Sequence, residues 1–355
     1  MPNGVCLFIH SGLSTFVQMD KLHLESKMDL YELRFSPQSP MAILKSLFAQ
    51  VTTLIKLRKK LQFIFIWFAD YHSFIPILFS KFFKTPVCLI LGGSDCQFIE
   101  TYKLGNIYGP LGIRKFFVHY SIRNAGKLYP VDSSLIYNEN TFIESDRVYK
   151  LGVKTFFPEV SNIHVQPTSL KENFWRRETK ENIILSIASI NSSKRLLLKG
   201  ADFYIELAKR MPEQTFIFVG MEETFLKTMS FPENMSVYGH LSPDKIVDLY
   251  AKAKVFCLFS LYEGLPNVLI EAMASGCIPV VSNVSGMPEA VSEYGYILKR
   301  KNVGEAEKLC RKALAEPESV HAEIEQYAKE RYHFKHRKAF LDSLISEEVI
   351  TKGVK

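Results

Sequence analysis

Two glutamates, Glu263 and Glu271, flank a turn, Gly264-Leu265-Pro266-Asn267, and the start of a helix-spaced apolar set, Val268, Leu269, Ala272 and Met273. Just upstream, Val255 to Phe259 is a short apolar run bounded by polar residues, the pattern of a buried parallel strand. A tight turn between such a strand and a helix offers unpaired backbone N–H groups and the positive end of the helix dipole. Both attract anions, phosphate above all. A carboxylate beside the turn is repelled by phosphate but accepts hydrogen bonds from hydroxyls. An anion cradle with two hydroxyl acceptors matches what a nucleotide-sugar presents. The same residues also allow a plainer reading, with Glu263 as a helix cap and Glu271 as a solvated surface charge.

The elements that must hold these groups follow from the surrounding pattern. Gly276 is a helix stop, Ile278 to Val281 a second β-branched run, and Gly286-Met287-Pro288 another turn, so the unit is one strand–helix–strand step of a parallel sheet. Upstream in the same half, the pattern predicts strands over Ile183–Ile190, Thr215–Val219 and from Val237. A polar loop, Asn191 to Lys199, ends at Lys199-Gly200, and helices are expected over 201–210 and 242–253. From Ala322 to Leu344 the sequence reads as one long charged helix. In the first half, strands are expected over 4–9, Tyr31–Phe35, Phe63–Phe68, Pro86–Leu91, Lys127–Val131 and Asn162–Val165. A helix is expected over Met41–Leu61, with Leu44, Leu47, Phe48 and Val51 on one face. Gly12, in the Gly/Ser loop after the first strand, would let the backbone approach a ligand. The ends of the third and fourth strands aim Asp70, His72 and Asp95 at one crevice edge. Alternation of strands and helices in both halves gives α/β architecture with two doubly wound sheets. The polar stretch Pro167–Glu178 reads as the linker.

The segments SLYEGLPN (260–267), EAMASGCIPVV (271–281) and GMPE (286–289), in this order, resemble the donor-site signature of the GT4-type retaining glycosyltransferases, glycosyl transferases group 1. The resemblance implies the GT-B fold: two Rossmann-like domains facing a central cleft, 1–170 binding the acceptor and 171–333 the donor. It also implies a last helix, about 334–350, packed back on the first domain. It implies that Glu271 holds the ribose hydroxyls and that Glu263 lies against the donor sugar, a catalytic position. Lys199, in the K-G element, would hold the diphosphate, with the turn amides of Gly264, Leu265 and Asn267 beside it and Gly12 approaching from the other domain. The chain departs from the family at Ser189, where an arginine is usual; Lys194 or Arg195 then becomes the second cation. It departs again at Gly92, where many relatives have histidine, which leaves Asp95 and His72 as the acceptor-side catalytic candidates. A third departure is Gln166-Pro167-Thr168-Ser169 in place of a glycine-containing turn. The implied reaction moves a sugar from a nucleotide-sugar, such as a UDP- or GDP-sugar, to an acceptor hydroxyl. It proceeds with retention, without other cofactors, and in the building of lipopolysaccharide, O-antigen, capsule or exopolysaccharide. A non-catalytic nucleotide-sugar-binding relative and a nucleotide-sugar epimerase of the same fold are the alternatives.

Composition bounds the rest. The chain has 355 residues, 47% hydrophobic and 23% charged, enough for two domains of about 150 residues. Its six cysteines have no metal-like spacing and read as reduced core thiols of a cytoplasmic chain. No D-x-D pair occurs, so no metal site of that kind is expected. No signal peptide is expected, and Phe63–Phe83, although long enough to span a bilayer, carries Asp70, Tyr71 and His72 at its middle and is read as strand, loop and helix. The positive charge is concentrated in residues 1–175, with 19 Lys and Arg against 13 Asp and Glu; residues 176–355 have 25 against 24. In the first half it lies beside aromatics, as in Lys81-Phe82-Phe83-Lys84 and Arg114-Lys115-Phe116-Phe117. This suits an anionic membrane surface, such as the inner face of the cell membrane, and a lipid-linked or glycan acceptor, whereas no nucleic-acid motif accompanies it.

Overall fold

Continuous apolar runs with no polar face form strands that must be covered on both sides, and both halves of the chain are built this way. The computed structural model describes residues 4–36, 39–107, 112–144 and 146–353. The first sheet contains β1 (Val5–His10), β2 (Asp29–Arg34), β3 (Leu61–Trp67), β4 (Val87–Leu91) and β5 (Lys127–Pro130), all parallel, in the order β2-β1-β3-β4-β5. Between them run α1 (Thr15–Glu25), α2 (Pro40–Leu57), α3 (Tyr71–Phe83) and α4 (Gly112–Asn124). The crossover from β1 to β2 runs one way along the sheet and the next three run the other way. Right-handed connections therefore put α1 on one face and α2, α3 and α4 side by side on the opposite face. The Phe63–Phe83 segment is strand, loop and helix, as read from its central polar residues.

After β5 the chain forms a two-stranded ribbon, β6 (Asn138–Glu144) and β7 (Arg147–Leu151), and a short helix α5 (Val153–Phe156). The ribbon is not apparent in the sequence pattern, and Asn162–Val165 is not the expected strand. It makes a single bridge, Ile163 to Leu128, and follows the edge of β5 through backbone hydrogen bonds at residues 128 and 164 until Pro167.

The second sheet contains β8 (Glu181–Ile190), β9 (Thr215–Met221), β10 (Met235–Tyr238), β11 (Ala253–Leu258), β12 (Ile278–Ser282) and β13 (Tyr296–Leu298), in the order β10-β9-β8-β11-β12-β13. Its helices are α6 (Ser193–Leu198), α7 (Ala201–Arg210), α8 (Glu223–Thr228), α9 (Pro243–Lys252), α10 (Asn267–Ala274), α11 (Met287–Val291), α12 (Val303–Ala315) and α13 (Glu318–Arg331). The long charged helix expected over 322–344 is two helices, α13 and α14 (Phe334–Gly353), broken at Tyr332-His333. Tyr332 is buried, and its carbonyl accepts from Leu170 N rather than continuing a helix.

The chain forms two compact units. Unit 1 is residues 1–138, 150–169 and 334–355; unit 2 is residues 139–149 and 170–333. The ribbon residues 139–149 thus belong with unit 2, although they fall inside the first-domain span expected from sequence. Their anchor is Asn140, fully buried, whose Nδ2 donates to Leu261 O at 2.8 Å. In unit 1, α14 packs on α1 and β3. The buried guanidinium of Arg337 grips the buried Asp20 of α1 through two hydrogen bonds of 2.9 and 2.6 Å, and His23 meets Asp342 at 2.8 Å.

Candidate active site

In a doubly wound sheet the ligand crevice lies beyond the carboxyl ends of the strands, where the strand order reverses. In unit 2 that point is between β8 and β11. The loops after these two strands carry Lys199 and Glu263.

Three features bring the loops together. The N–H of Leu261 donates to Leu198 O at 2.8 Å, tying one loop to the other. Gly200 has φ +66°, and a Cβ there would stand 2.2 Å from Phe259 O. Only glycine allows both the left-handed turn and this close approach. As a result, the Lys199 ammonium lies 2.5 Å from Glu263 Oε1, with the two side chains 19% and 13% exposed. Ser260 Oγ donates to the same oxygen at 2.7 Å. The β12 loop joins in: Ser282 Oγ donates to Ser260 O at 2.7 Å, and Glu263 N donates to Ser285 Oγ at 3.3 Å. Glu263 does not cap α10, which has Pro266 at its N-cap, no side-chain cap and no acid in its first turn. The positive end of α10 is thus open to an anion beside Gly264, Leu265 and Asn267.

Glu271 lies one turn into α10. Its carboxylate makes no hydrogen bond or ion pair among the described residues, and desolvation pushes it up to about 7. A part-buried carboxyl group with its acceptor sites unused by the protein is suited to bound hydroxyls. Arg195, in α6, turns its Nε back to Ser189 O at 2.9 Å. Its guanidinium thus lies against the main chain of Ser189, where the sequence lacks an arginine.

Unit 1 treats its sequence-selected residues differently. Gly12 sits in an open loop after β1, and a Cβ there would meet nothing within 4 Å, so no contact within the chain requires glycine. Asp95 is fully buried. Its carboxylate accepts from Gly93 N at 2.8 Å and from Gly92 N and Ala69 N at 3.1 Å, and burial raises its pKa. His72 is also fully buried, with Nε2 on Trp67 O at 2.8 Å and its pKa lowered by desolvation. Neither residue exposes an atom, and their hydrogen bonds pin the β3 and β4 loops, which favours a positioning role for both. Asp70 caps α3 and takes a two-pronged hydrogen bond from Arg114, 2.8 and 2.6 Å.

Sequence reasoning passed over Phe68. It has φ +71°, unusual for a bulky side chain. Its ring lies 2.2 Å from where a Cβ on Gly92 would be, so no side chain fits at 92 unless the ring moves. Among the described residues no three His, Cys, Asp or Glu gather as metal ligands.

Each unit is a Rossmann-like layer of parallel strands and helices, and the whole chain has the GT-B fold. It superposes on sucrose-phosphate synthase from Thermosynechococcus elongatus with a TM-score of 0.74, covering 98% of this chain and 100% of that one at 12% identity. HepE from Anabaena, solved with UDP-glucose, gives a TM-score of 0.68 over 97% of this chain and 100% of that one, also at 12% identity. Residues 169–331, which make up most of unit 2, match the model of Glycosyl transferases group 1, and this segment carries that family's domain. A curated relative is 27% identical over 298 residues, 78% of this chain and 73% of its own. It is the N,N'-diacetylbacillosaminyl-diphospho-undecaprenol alpha-1,3-N-acetylgalactosaminyltransferase of Campylobacter jejuni.

Proposed function

We propose that the protein transfers a sugar, with retention at the anomeric carbon, from a nucleotide-sugar to a hydroxyl of a glycan or lipid-linked acceptor during cell-surface polysaccharide assembly. The observation that carries this reading is the meeting of Lys199 and Glu263 at the strand-order reversal of unit 2, one loop from the unpartnered carboxyl of Glu271. Lys199 and the N-terminus of α10 hold the diphosphate and stabilise the charge that develops on it as the glycosidic bond breaks. Glu271 accepts from the ribose hydroxyls and Glu263 from the sugar. Arg195 is the second cation, and the amides of Gly264, Leu265 and Asn267 border the phosphates. The transition state has oxocarbenium character, as in glycoside hydrolysis. Lysine, arginine and helix dipole supply the charge for leaving-group departure, so the reaction is proposed to run without a metal. The lipid-linked substrate in the name of the Campylobacter relative and the UDP-glucose held by HepE support the choice of acceptor and donor classes.

Thermal shift against a panel of nucleotide-sugars identifies the donor, because a ligand bound only by the native state raises its melting temperature. Slow release of free nucleotide from that donor, with and without EDTA, then tests turnover and the metal requirement. A second reading, a nucleotide-sugar-binding protein without turnover, draws on Ser189 and on the ring of Phe68 against Gly92. Saturable binding with no nucleotide release under any acceptor would favour it.

A further inference from the structure

Helix α2 is turned inside out. Its buried side carries Gln50 and Thr53 as well as Leu54 and Leu57. Its outward side carries Met41, Leu44, Phe48, Val51 and Ile55, all exposed, Phe48 by 71%. Steps of three and four residues place these five on one stripe along the helix. An ordinary surface helix of a soluble domain shows the reverse arrangement.

The neighbouring helices extend the stripe. Packed beside α2, α3 ends in Phe82, 76% exposed, and Phe83, 51% exposed; beside α3, α4 exposes Ile113 and Phe116. The charge around this apolar ground has one sign. None of the three helices contains an aspartate or glutamate. Lys45 and Lys56 lie on α2, Arg58-Lys59-Lys60 follow it, and Lys81 and Lys84 flank the phenylalanine pair. These seven cations make no ion pair or side-chain hydrogen bond among the described residues.

We propose that this face of unit 1 docks on an anionic lipid bilayer. The α2 stripe lies in the interface plane, and the basic residues at its rim meet the headgroups. Apolar residues on one stripe with cations at the edge are what an interfacial helix needs, since its binding draws on buried apolar area and attraction to anionic lipid together. By length and composition α2 could cross a bilayer, and it is the one helix among the described residues that could. Its inner side, however, is packed on the domain, and Gln50 Nε2 donates to His72 O at 3.0 Å, so it lies along the surface rather than spanning. Nucleic acid would use the cations but leave the stripe in water. This docking face belongs to unit 1 and uses none of the donor residues of unit 2, and its test needs no sugar donor.

The full chain is mixed with vesicles of phosphatidylcholine alone and with vesicles in which roughly a third of the lipid is phosphatidylglycerol, then sedimented. Binding at least ~10-fold stronger to the anionic vesicles, weakened by salt, is expected. Leu44→Asp with Phe48→Asp should lose ~10-fold or more of it. Arg58→Gln with Lys59→Gln and Lys60→Gln should lose the preference for anionic lipid. Both sets are solvent-facing, so melting temperatures should hold. Phe48→Trp, a gentler change, should show a blue-shifted emission with anionic vesicles only. Wild-type protein left in the supernatant with both vesicles overturns the proposal, as does binding indifferent to the aspartate pair. So does a concentration-dependent dimer that the same pair abolishes, without vesicle binding, since the face would then belong to a second copy.

Discussion

Lys199 Nζ and Glu263 Oε1 are 2.5 Å apart, and Ser260 Oγ lies on the same carboxylate oxygen. In the proposed function, the lysine assigned to the diphosphate is therefore already paired with the glutamate assigned to the sugar. On that reading, phosphate shares the ammonium with Glu263, and loss of the phosphate returns it. Removing the carboxylate should then have opposite effects on binding and on turnover. We expect Glu263→Ala to bind UDP several-fold more tightly than wild type, because Lys199 is left with no competing anion. It should nonetheless lose ~100-fold or more in sugar transfer. Lys199→Ala should weaken UDP binding by ~10-fold or more. Calorimetric UDP titration checks both; equal UDP affinity in all three proteins would remove Lys199 and Glu263 from the phosphate site.

Glu271 gives a pH signature. Desolvation pushes its carboxyl up to about 7 from an ordinary value near 4.5. The folded state thus holds this proton more tightly than the unfolded chain. Its contribution to stability is full below about pH 4.5 and is lost as pH rises to about 7, a change on the order of 3 kcal/mol at most. Glu271→Gln should therefore melt higher than wild type at pH 8 and alike at pH 4.5. Hydroxyl donors favour the ionised form, so an intact nucleotide-sugar should bind more weakly to wild type as pH falls below 7 and release protons on binding near neutrality. A pH-independent dissociation constant would contradict the ribose role, as would unchanged donor affinity in Glu271→Ala.

Gly200 sets the meeting of the two loops. Alanine there has both an unfavourable φ of +66° and a Cβ pressed on Phe259 O. Gly200→Ala should cost about 1–3 kcal/mol of stability. It should also lower transfer by ~10-fold or more, because it spreads the loop carrying Lys199 from that carrying Glu263. Denaturant unfolding and single-substrate kinetics check the two effects separately.

Asp95 separates positioning from catalysis. Its carboxylate is buried on three backbone N–H groups. Asp95→Asn turns an amide donor toward those donors and should cost about 1–3 kcal/mol of stability. The kcat of protein that remains folded should fall by less than ~10-fold, well short of the loss when a positioned acid or base is removed. A wild-type melting temperature with kcat reduced ~1,000-fold would restore the catalytic role.

Much of this is legible in the sequence. Strands such as β1, β3, β4 and β11 are apolar runs with no polar face, and the pattern places their limits to within two residues. Lys199 stands out because the resemblance matches it to the lysine of the family's K-G element. The rest depends on contacts far apart in sequence. The β6–β7 ribbon carries no strong alternation and is fixed by Asn140 on Leu261. Asp95 and His72 have the residue types of catalysis, and only the structure shows that they are buried, with the Asp95 carboxylate and His72 Nε2 bonded to the main chain. Phe68 could have been suspected from Gly92, since a glycine where relatives have a side chain hints that another ring fills the room. Its φ could not be read. Periodicity gives the stripe of α2 but not which way it faces, because the core-facing side is decided by a glutamine.

That glutamine has a further effect. The hydrogen bond from Gln50 to the carbonyl of His72 acts as a peg on the inner side of α2. To swing Phe48 and Leu44 toward the sheet the helix would have to rotate about its axis, withdrawing the peg and stranding a carbonyl away from water. The roll angle of α2 is thus held by polar bonding as well as by the buried Leu54 and Leu57, and the protein bears a standing hydration cost on its outer side whenever that side faces only water.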